Sequence, residues 1–273
     1  MRFYSLELEA ASLSQELDLL RVGDFLARDF LGSVLQTQPV TSECDQMHVL
    51  RWAFPRLFPI TTPAVGMQIH EWKVLEPLGE GRNGSLYKVE RAGRISVMKW
   101  LASTGEQPQV LANRELTCLL ALSRPHFARL EAYGRWPDQR GTSFLVQEHV
   151  PGLTLAQWCR RPGPSARDIA HLFHRLMRAV AEMNERGMLY PSLTCDDVKI
   201  RESNQRPVIA DLGGALPCGR PLTRQEMSLD VRALGLMLYE VLTHQQPGPD
   251  ALPPHVVNPR VPQELSELTM RLL

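Results

Sequence analysis

Residues 78–89 read Leu-Gly-Glu-Gly-Arg-Asn-Gly-Ser-Leu-Tyr-Lys-Val, and Val97-Met98-Lys99 ends an apolar stretch shortly after. The glycines at 79, 81 and 84 form a Gly-x-Gly-x-x-Gly motif. The segment just past such a motif decides what it can build. In a dinucleotide-binding unit the last glycine leads into a helix. Here it leads into Ser85–Val89, which alternates like a strand, then a turn at Arg91-Ala92-Gly93-Arg94 and a third strand over Ile95–Trp100. A glycine-rich antiparallel hairpin brings bare backbone and its N–H donors close to phosphate oxygens. Lys99 adds a point charge at the edge of that surface. Only four of the 30 Lys and Arg residues are lysine (73, 88, 99 and 199), so a lysine kept inside an apolar strand reads as a place that needs an ammonium.

The 273 residues suffice for one large or two small domains with a real core. The net charge is zero and no basic block is present, which argues against nucleic acid as a partner. No apolar run has the length of a membrane span, and Met1–Ala10 lacks the apolar centre of a secretory signal. Five cysteines (44, 118, 159, 195 and 218) are scattered and odd in number, which predicts reduced thiols and a cytoplasmic setting.

Along the chain, Leu6–Leu35 has helical apolar spacing, and residues 37–63 are proline-interrupted with aromatics at Trp52, Phe54 and Phe58. Residues 1–66 read as an N-terminal helical extension. Short strands then occur at 71–78, 85–91 and 94–100, a helix at 108–122, and strands near 128–135 and 142–148. Helices come next over 154–160 and 166–186, residues 222–243 contain a strongly apolar helix from Asp230, and a last short helix lies at 262–273. Strands first and helices after predict a two-lobed α+β arrangement rather than an alternating parallel sheet.

From about residue 71 onward, several separated segments match one family in order and spacing. Asn113-Arg114-Glu115-Leu116 lies on the first long helix. Phe144–Gly152 has the pattern of a strand running into a hinge. Met188–Ile200 has that of a catalytic loop, Asp211-Leu212-Gly213 that of a metal-binding turn, and Asp230–Thr243 that of a buried helix. With the glycine hairpin, this set resembles the eukaryotic-type protein kinases, and most closely a pseudokinase or a minimal kinase of the bacterial effector type. The resemblance implies a β-rich N-lobe over 67–148 and a helical C-lobe over 149–273, with a short activation segment. It implies ATP and Mg²⁺ as ligands. Gly79, Gly81, Gly84 and Lys99 would meet the phosphates, Val89 would sit under the adenine ring, and Glu115 would pair with Lys99. Gln147 would stand at the gatekeeper position, with the backbone from Glu148 to Val150 along the base. Asp197 and Asp211 would hold the metal.

The departures from the family bear on function. Ser192 stands where the family has the aspartate that accepts the substrate's proton, and an unperturbed serine hydroxyl does not take a proton at neutral pH. Asp196 is a nearby substitute candidate. Asp197 replaces the usual metal-binding asparagine. Only 16 residues separate Gly213 from Asp230, and no Ala-Pro-Glu occurs among them, so the usual floor for a peptide substrate is missing. The expectation is a pseudokinase that binds ATP and Mg²⁺ and acts through conformation or an unidentified protein partner. The alternative is an active atypical phosphotransferase, placed in its own cytosol or, as an effector, in a host's.

Overall fold

The computed structural model describes residues 62–101, 107–122, 125–136, 142–161 and 164–273. The predicted helix over 6–35 and the aromatics at 52–58 lie outside these residues.

The first half is a single antiparallel sheet. Its strands are β1 (Gln68–Ile69), β2 (Trp72–Gly81), β3 (Gly84–Arg91), β4 (Arg94–Leu101), β5 (Leu130–Trp136) and β6 (Thr142–Glu148), in the spatial order β1-β2-β3-β4-β6-β5. Between β4 and β5 the chain forms helix α1 (Gln107–Ala121). The β3–β4 turn has two central residues, Ala92 and Gly93, both with positive φ (50° and 76°). That is the turn whose twist suits a hairpin, with alanine adopting the left-handed form at a cost of about 1 kcal/mol. Next to it, Arg91 lies 4.4 Å over the ring of Trp72 and bonds Glu71 at 2.8 Å, which ties β3 to the start of β2.

The second half is mainly helical. After β7 (Gly152–Thr154) come α2 (Leu155–Cys159) and α3 (Ala166–Glu185). The short strands β8 (Met188–Leu189), β9 (Val198–Arg201), β10 (Pro207–Ile209) and β11 (Leu216–Pro217) are next, then α4 (Arg224–Thr243), α5 (Pro254–Val257) and α6 (Gln263–Leu272). The helices begin where their sequences supply caps. Thr154, Ser165 and Thr223 each accept from the backbone three residues on, while Gln157, Asp168 and Glu226 reach back, so each pair forms a capping box. Strands β10, β9 and β7 form one small sheet, and β11 pairs with β8 in a two-stranded ribbon. That ribbon ties the segment after Asp211 to the start of the loop that carries Ser192. Cys218 N–H extends the tie by donating to Gly187 O at 2.8 Å.

One apolar core runs through both halves. It includes Leu101, Leu119 and Leu145 from the sheet and its helix, Tyr190, Ile209 and Leu212 at the junction, and Leu176, Met183, Leu234 and Leu238 from α3 and α4. The arrangement is the expected two-lobed α+β fold. The strands too short to show a period (β1, β7, β8 and β11) and the one-turn helix α5 within the proline-rich stretch were not predicted. Cys118, Cys159 and Cys195 are buried free thiols, and Cys218 is free and half-buried. Among the described residues, no helix is long and apolar enough to cross a membrane.

Candidate nucleotide site

The site lies where the sheet meets the helical half, and Lys99 is its centre. Lys99 lies near the end of β4, and its side chain is 3% exposed. Its Nζ bonds Glu115 Oε1 at 2.7 Å and Asp211 Oδ1 at 2.8 Å. Three elements therefore converge on one ammonium: β4, α1 and the turn after β10. Burial pulls the Lys99 pKa down, but the charges of Glu115 and Asp211 outweigh it and the net shift is upward. Burial pushes the Glu115 carboxyl up, against the opposing pull of Lys99. Asp211 is half-buried, which raises its carboxyl, yet Lys99 and the Gly213 N–H bond (2.6 Å) leave it below the usual range.

Asp211 is held from behind by the loop that carries Ser192. Tyr190 OH donates to Asp211 O at 3.2 Å, and Tyr190 N–H donates to Asp230 Oδ1 at 2.8 Å. Asn184 Nδ2 donates to the other oxygen of Asp230 at 2.7 Å. Asp230, buried in the second turn of α4, thus sets the height of the loop that carries Ser192 and Asp197. Tyr190, Leu212 and Leu119 all lie in the common core, so tyrosine and leucine here keep that part of the core packed.

The hairpin tip reaches down into this arrangement. Arg82 and Asn83 are the two residues between Gly81 and Gly84. Arg82 Nη1 donates to Ser192 Oγ at 3.0 Å, and Nη2 donates to Ser192 O at 3.0 Å and Asp197 Oδ2 at 3.2 Å. Asn83 Nδ2 donates to Gly213 O at 2.8 Å and Glu115 Oε2 at 3.3 Å. Asp197 Oδ2 also accepts from Thr194 N and Thr194 Oγ1, both at 2.8 Å. Two glycines keep room for the tip. A Cβ on Gly213 would stand 2.7 Å from Asn83 Nδ2, and one on Gly214 would stand 2.7 Å from Ser192 Oγ and 3.1 Å from Arg82 Nη1.

Several distant stretches of the sequence have equivalents in proteins of known class. No family model matches the chain. In sequence it is 23% identical over 242 residues to a probable serine/threonine-protein kinase PknB of Lactococcus lactis, an alignment covering 73% of this chain and 38% of that protein. It is 26% identical over 158 residues to serine/threonine-protein kinase C of Synechocystis, covering 53% and 29% respectively. The chain spans about a third of the length of these curated relatives. In structure it resembles the PknI kinase domain of Mycobacterium tuberculosis, with a TM-score of 0.59 and 17% identity over 77% of this chain and 99% of that domain. The chain is related to the eukaryotic-type protein kinases, in sequence and in fold.

Within that kinase fold the predicted residues divide into those brought together and those held apart. Lys99, Glu115, Asp211 and Gly213 meet directly, and Gly81 lies against them, a Cβ there falling 3.3 Å from Lys99 Cε. Ser192 and Asp197 share Arg82. Gln147 is buried and pairs across the sheet with Val97, two residues from Lys99 and on the same face. Glu148 N–H is committed to Arg129 O at 2.8 Å, and its carboxylate bonds Arg201 at 2.8 Å. Asp196 is exposed and joins none of the site's hydrogen bonds.

Val89 requires a correction. The β3–β4 register sets Leu86 opposite Lys99 and Val89 opposite Ser96. Side chains alternate, so Val89 is fully buried on the far face, and Leu86 and Lys88 occupy the face that Lys99 shares. Arg82, Asn83, Thr194 and Asp230 were missed altogether as site residues.

Mg²⁺ fits this donor set only in part. Asp211 is a half-buried carboxylate of the right chemistry. Asp197 fits poorly in the arrangement seen: its Oδ2 accepts three donors, one of them a guanidinium, so a cation at the remaining Oδ1 would share the carboxylate with a positive charge. Among the described residues, no three His, Cys, Asp or Glu side chains group as a metal cage.

Proposed function

We propose that this chain is a pseudokinase: it binds ATP in the cleft around Lys99 and works through conformation and a protein partner rather than by efficient phosphoryl transfer. The observation that carries this reading is Ser192 with Arg82 upon it. A serine hydroxyl is no base at neutral pH. A guanidinium 3.0 Å from its oxygen makes proton acceptance less favourable still. Loss of a positioned general base costs about 10²–10⁴-fold in rate. The phosphate-facing parts support binding: Gly79, Gly81, Gly84 and the Lys99–Glu115–Asp211 cluster. Lys99 would hold phosphate oxygens, Leu86 and Gln147 would border the base, and Asp211 would be the residue that holds Mg²⁺. When bound, that ion would neutralise phosphate charge.

The second reading is an active atypical phosphotransferase. It is favoured by the intact Lys99–Glu115 pair, since phosphoryl transfer is mostly positioning and electrostatics. Both readings suit a cytosol, the chain's own or a host's, and treat residues 1–66 as an extension to a kinase-like domain over 67–273.

Thermal melts with ATP, run beside a sensitive assay for ATP consumption, test the proposal. The expected result is a raised melting temperature without turnover. Turnover that Lys99→Ala abolishes would overturn the pseudokinase reading in favour of the second. If ATP leaves both the melt and a calorimetric titration unchanged, the nucleotide site itself is refuted.

A further inference from the structure

The hairpin tip raises a question that the nucleotide site leaves open: why an arginine of the lid is seated on the loop that, in this fold, faces the metal. We propose that Arg82, not a divalent cation, is the resident counter-ion of Asp197, so that the chain binds the nucleoside triphosphate with little dependence on Mg²⁺. The inference rests on the nucleotide-binding reading above and adds to it which cation does the work.

The seat of the guanidinium is built by three residues of the catalytic loop and one glycine beyond it. Ser192 offers two oxygens, its Oγ and its carbonyl, each 3.0 Å from an Arg82 nitrogen. Asp197 supplies the opposing charge at 3.2 Å. Thr194 turns that carboxylate toward the arginine by donating twice to the same oxygen. Gly214 leaves the volume open, since any side chain there would strike Ser192 Oγ and Arg82 Nη1.

Mg²⁺ binds at about 2.0–2.1 Å in near-ideal octahedral geometry and keeps several waters. To reach Asp197 it would have to displace the arginine or lie against a like charge. The second carboxylate, Asp211, has one oxygen, Oδ1, already taken by the chain's own donors, Lys99 Nζ at 2.8 Å and Gly213 N–H at 2.6 Å, which leaves Oδ2 to meet a cation. Each acidic side chain that the fold would give to metal is thus compensated from within: Asp211 by Lys99 and Asp197 by Arg82.

The same geometry explains Ser192. An aspartate at that position would draw the guanidinium into its own fork-like pair and away from Asp197. Serine holds the arginine by hydrogen bonds and leaves its charge for Asp197. Ser192 and the lid arginine therefore act as one unit. Arg82 has five N–H donors, three of which are used here, so Nε–H and one Nη1 hydrogen remain for phosphate oxygens. Without Arg82, the triphosphate would face Asp197 and Asp211 with Lys99 alone between them, and a divalent cation would become necessary.

The test is calorimetric titration of the full chain with ATP, once in excess EDTA and once in excess Mg²⁺. Wild type is compared with Arg82→Ala and with Arg82→Gln, which removes the charge and keeps a hydrogen-bond donor. In wild type the two dissociation constants should agree within about threefold. In both variants the EDTA value should weaken by about 10- to 100-fold relative to the Mg²⁺ value, the range expected for a charge-assisted contact. Wild-type binding that appears only with Mg²⁺ would overturn the inference and leave the nucleotide reading standing. Equal ratios in wild type and both variants would show that Arg82 is not the cation responsible. Absence of ATP binding in both buffers would refute the inference and the nucleotide reading together.

Discussion

Replacing Gly84 by alanine would force a carbon into the backbone of the neighbouring strand. An ideal Cβ at Gly84 would lie 2.0 Å from Trp100 O, 2.9 Å from Trp100 C and 3.0 Å from Leu101 Cα. All three atoms are backbone of β4, so no rotamer change relieves the clash; β3 and β4 must separate by about an ångström or more beside Lys99. Overpacking of this kind costs about 1–3 kcal/mol, and disturbing one or two adjoining ladder hydrogen bonds adds about 0.5–1.5 kcal/mol each. Gly84→Ala should therefore lose about 2–4 kcal/mol. For a domain of this size that is about a 5–15 °C fall in melting temperature. Gly81→Ala is the comparison. Its Cβ would stand 3.2–3.3 Å from Gly84 O, Leu86 Cγ and Lys99 Cε, two of which are movable side-chain atoms. It should cost about 1 kcal/mol or less while displacing Lys99. Thermal and urea melts of the two variants without nucleotide decide the matter. Gly84→Ala melting within about 2 °C of wild type, or Gly81→Ala losing more than Gly84→Ala, would refute this account of the hairpin.

Three further outcomes are expected from buried or bonded charges. Lys99→Ala leaves Glu115 buried without its cation and should lose about 3–5 kcal/mol in urea melts; adding Glu115→Gln should recover much of it, and no recovery would refute the pairing. Asp230→Ala leaves Tyr190 N–H without its acceptor and Asn184 Nδ2 with Met188 O alone, and should cost about 2–4 kcal/mol; a neutral result would show that Asp230 does not hold the loop. Glu226 is held down to about 2 by its Arg220 hydrogen bonds first and then by Thr223. A depressed carboxyl contributes stability that is full above its unfolded value and is lost as pH falls through its folded one. Glu226→Gln should thus melt below wild type at about pH 6, with the gap narrowing toward about pH 3; a gap constant across that range would refute the assignment.

How far the sequence foretold this structure varies by element. The sheet strands and long helices were legible because they run long enough to show a period. Strands β8 and β11 have two residues each, too few for any alternation, and exist because Leu216 and Pro217 find Leu189 and Met188. The Lys99–Glu115 pair was anticipated from spacing along the resemblance, whereas the Lys99–Asp211 contact was not. The face of β3 was misassigned, though the signal was present. A two-residue turn sets Arg91 opposite Arg94, and five steps along each strand bring Lys99 opposite Leu86. Arg82 and Asn83 occupy the variable positions of the glycine motif, where no pattern specifies a partner. Their roles depend on how far the tip descends toward Ser192 and Gly213, which only the fold determines.

The segment after Asp211 has a consequence for how such a protein can be controlled. Ala215 N–H bonds Leu212 O, the β11–β8 ribbon fixes residues 216 and 217, Cys218 bonds Gly187, and Thr223 caps α4. Only residues 219–222 lie between the last tie and the cap. Kinases that are switched at this segment do so by trading a disordered loop for an ordered one. Four residues fastened at both ends hold little conformational entropy to release or recover. A phosphate placed on this stretch would find no slack to take up. Control of the cleft has to arrive through larger parts: the tilt of one lobe upon the other, or a surface pressed against them.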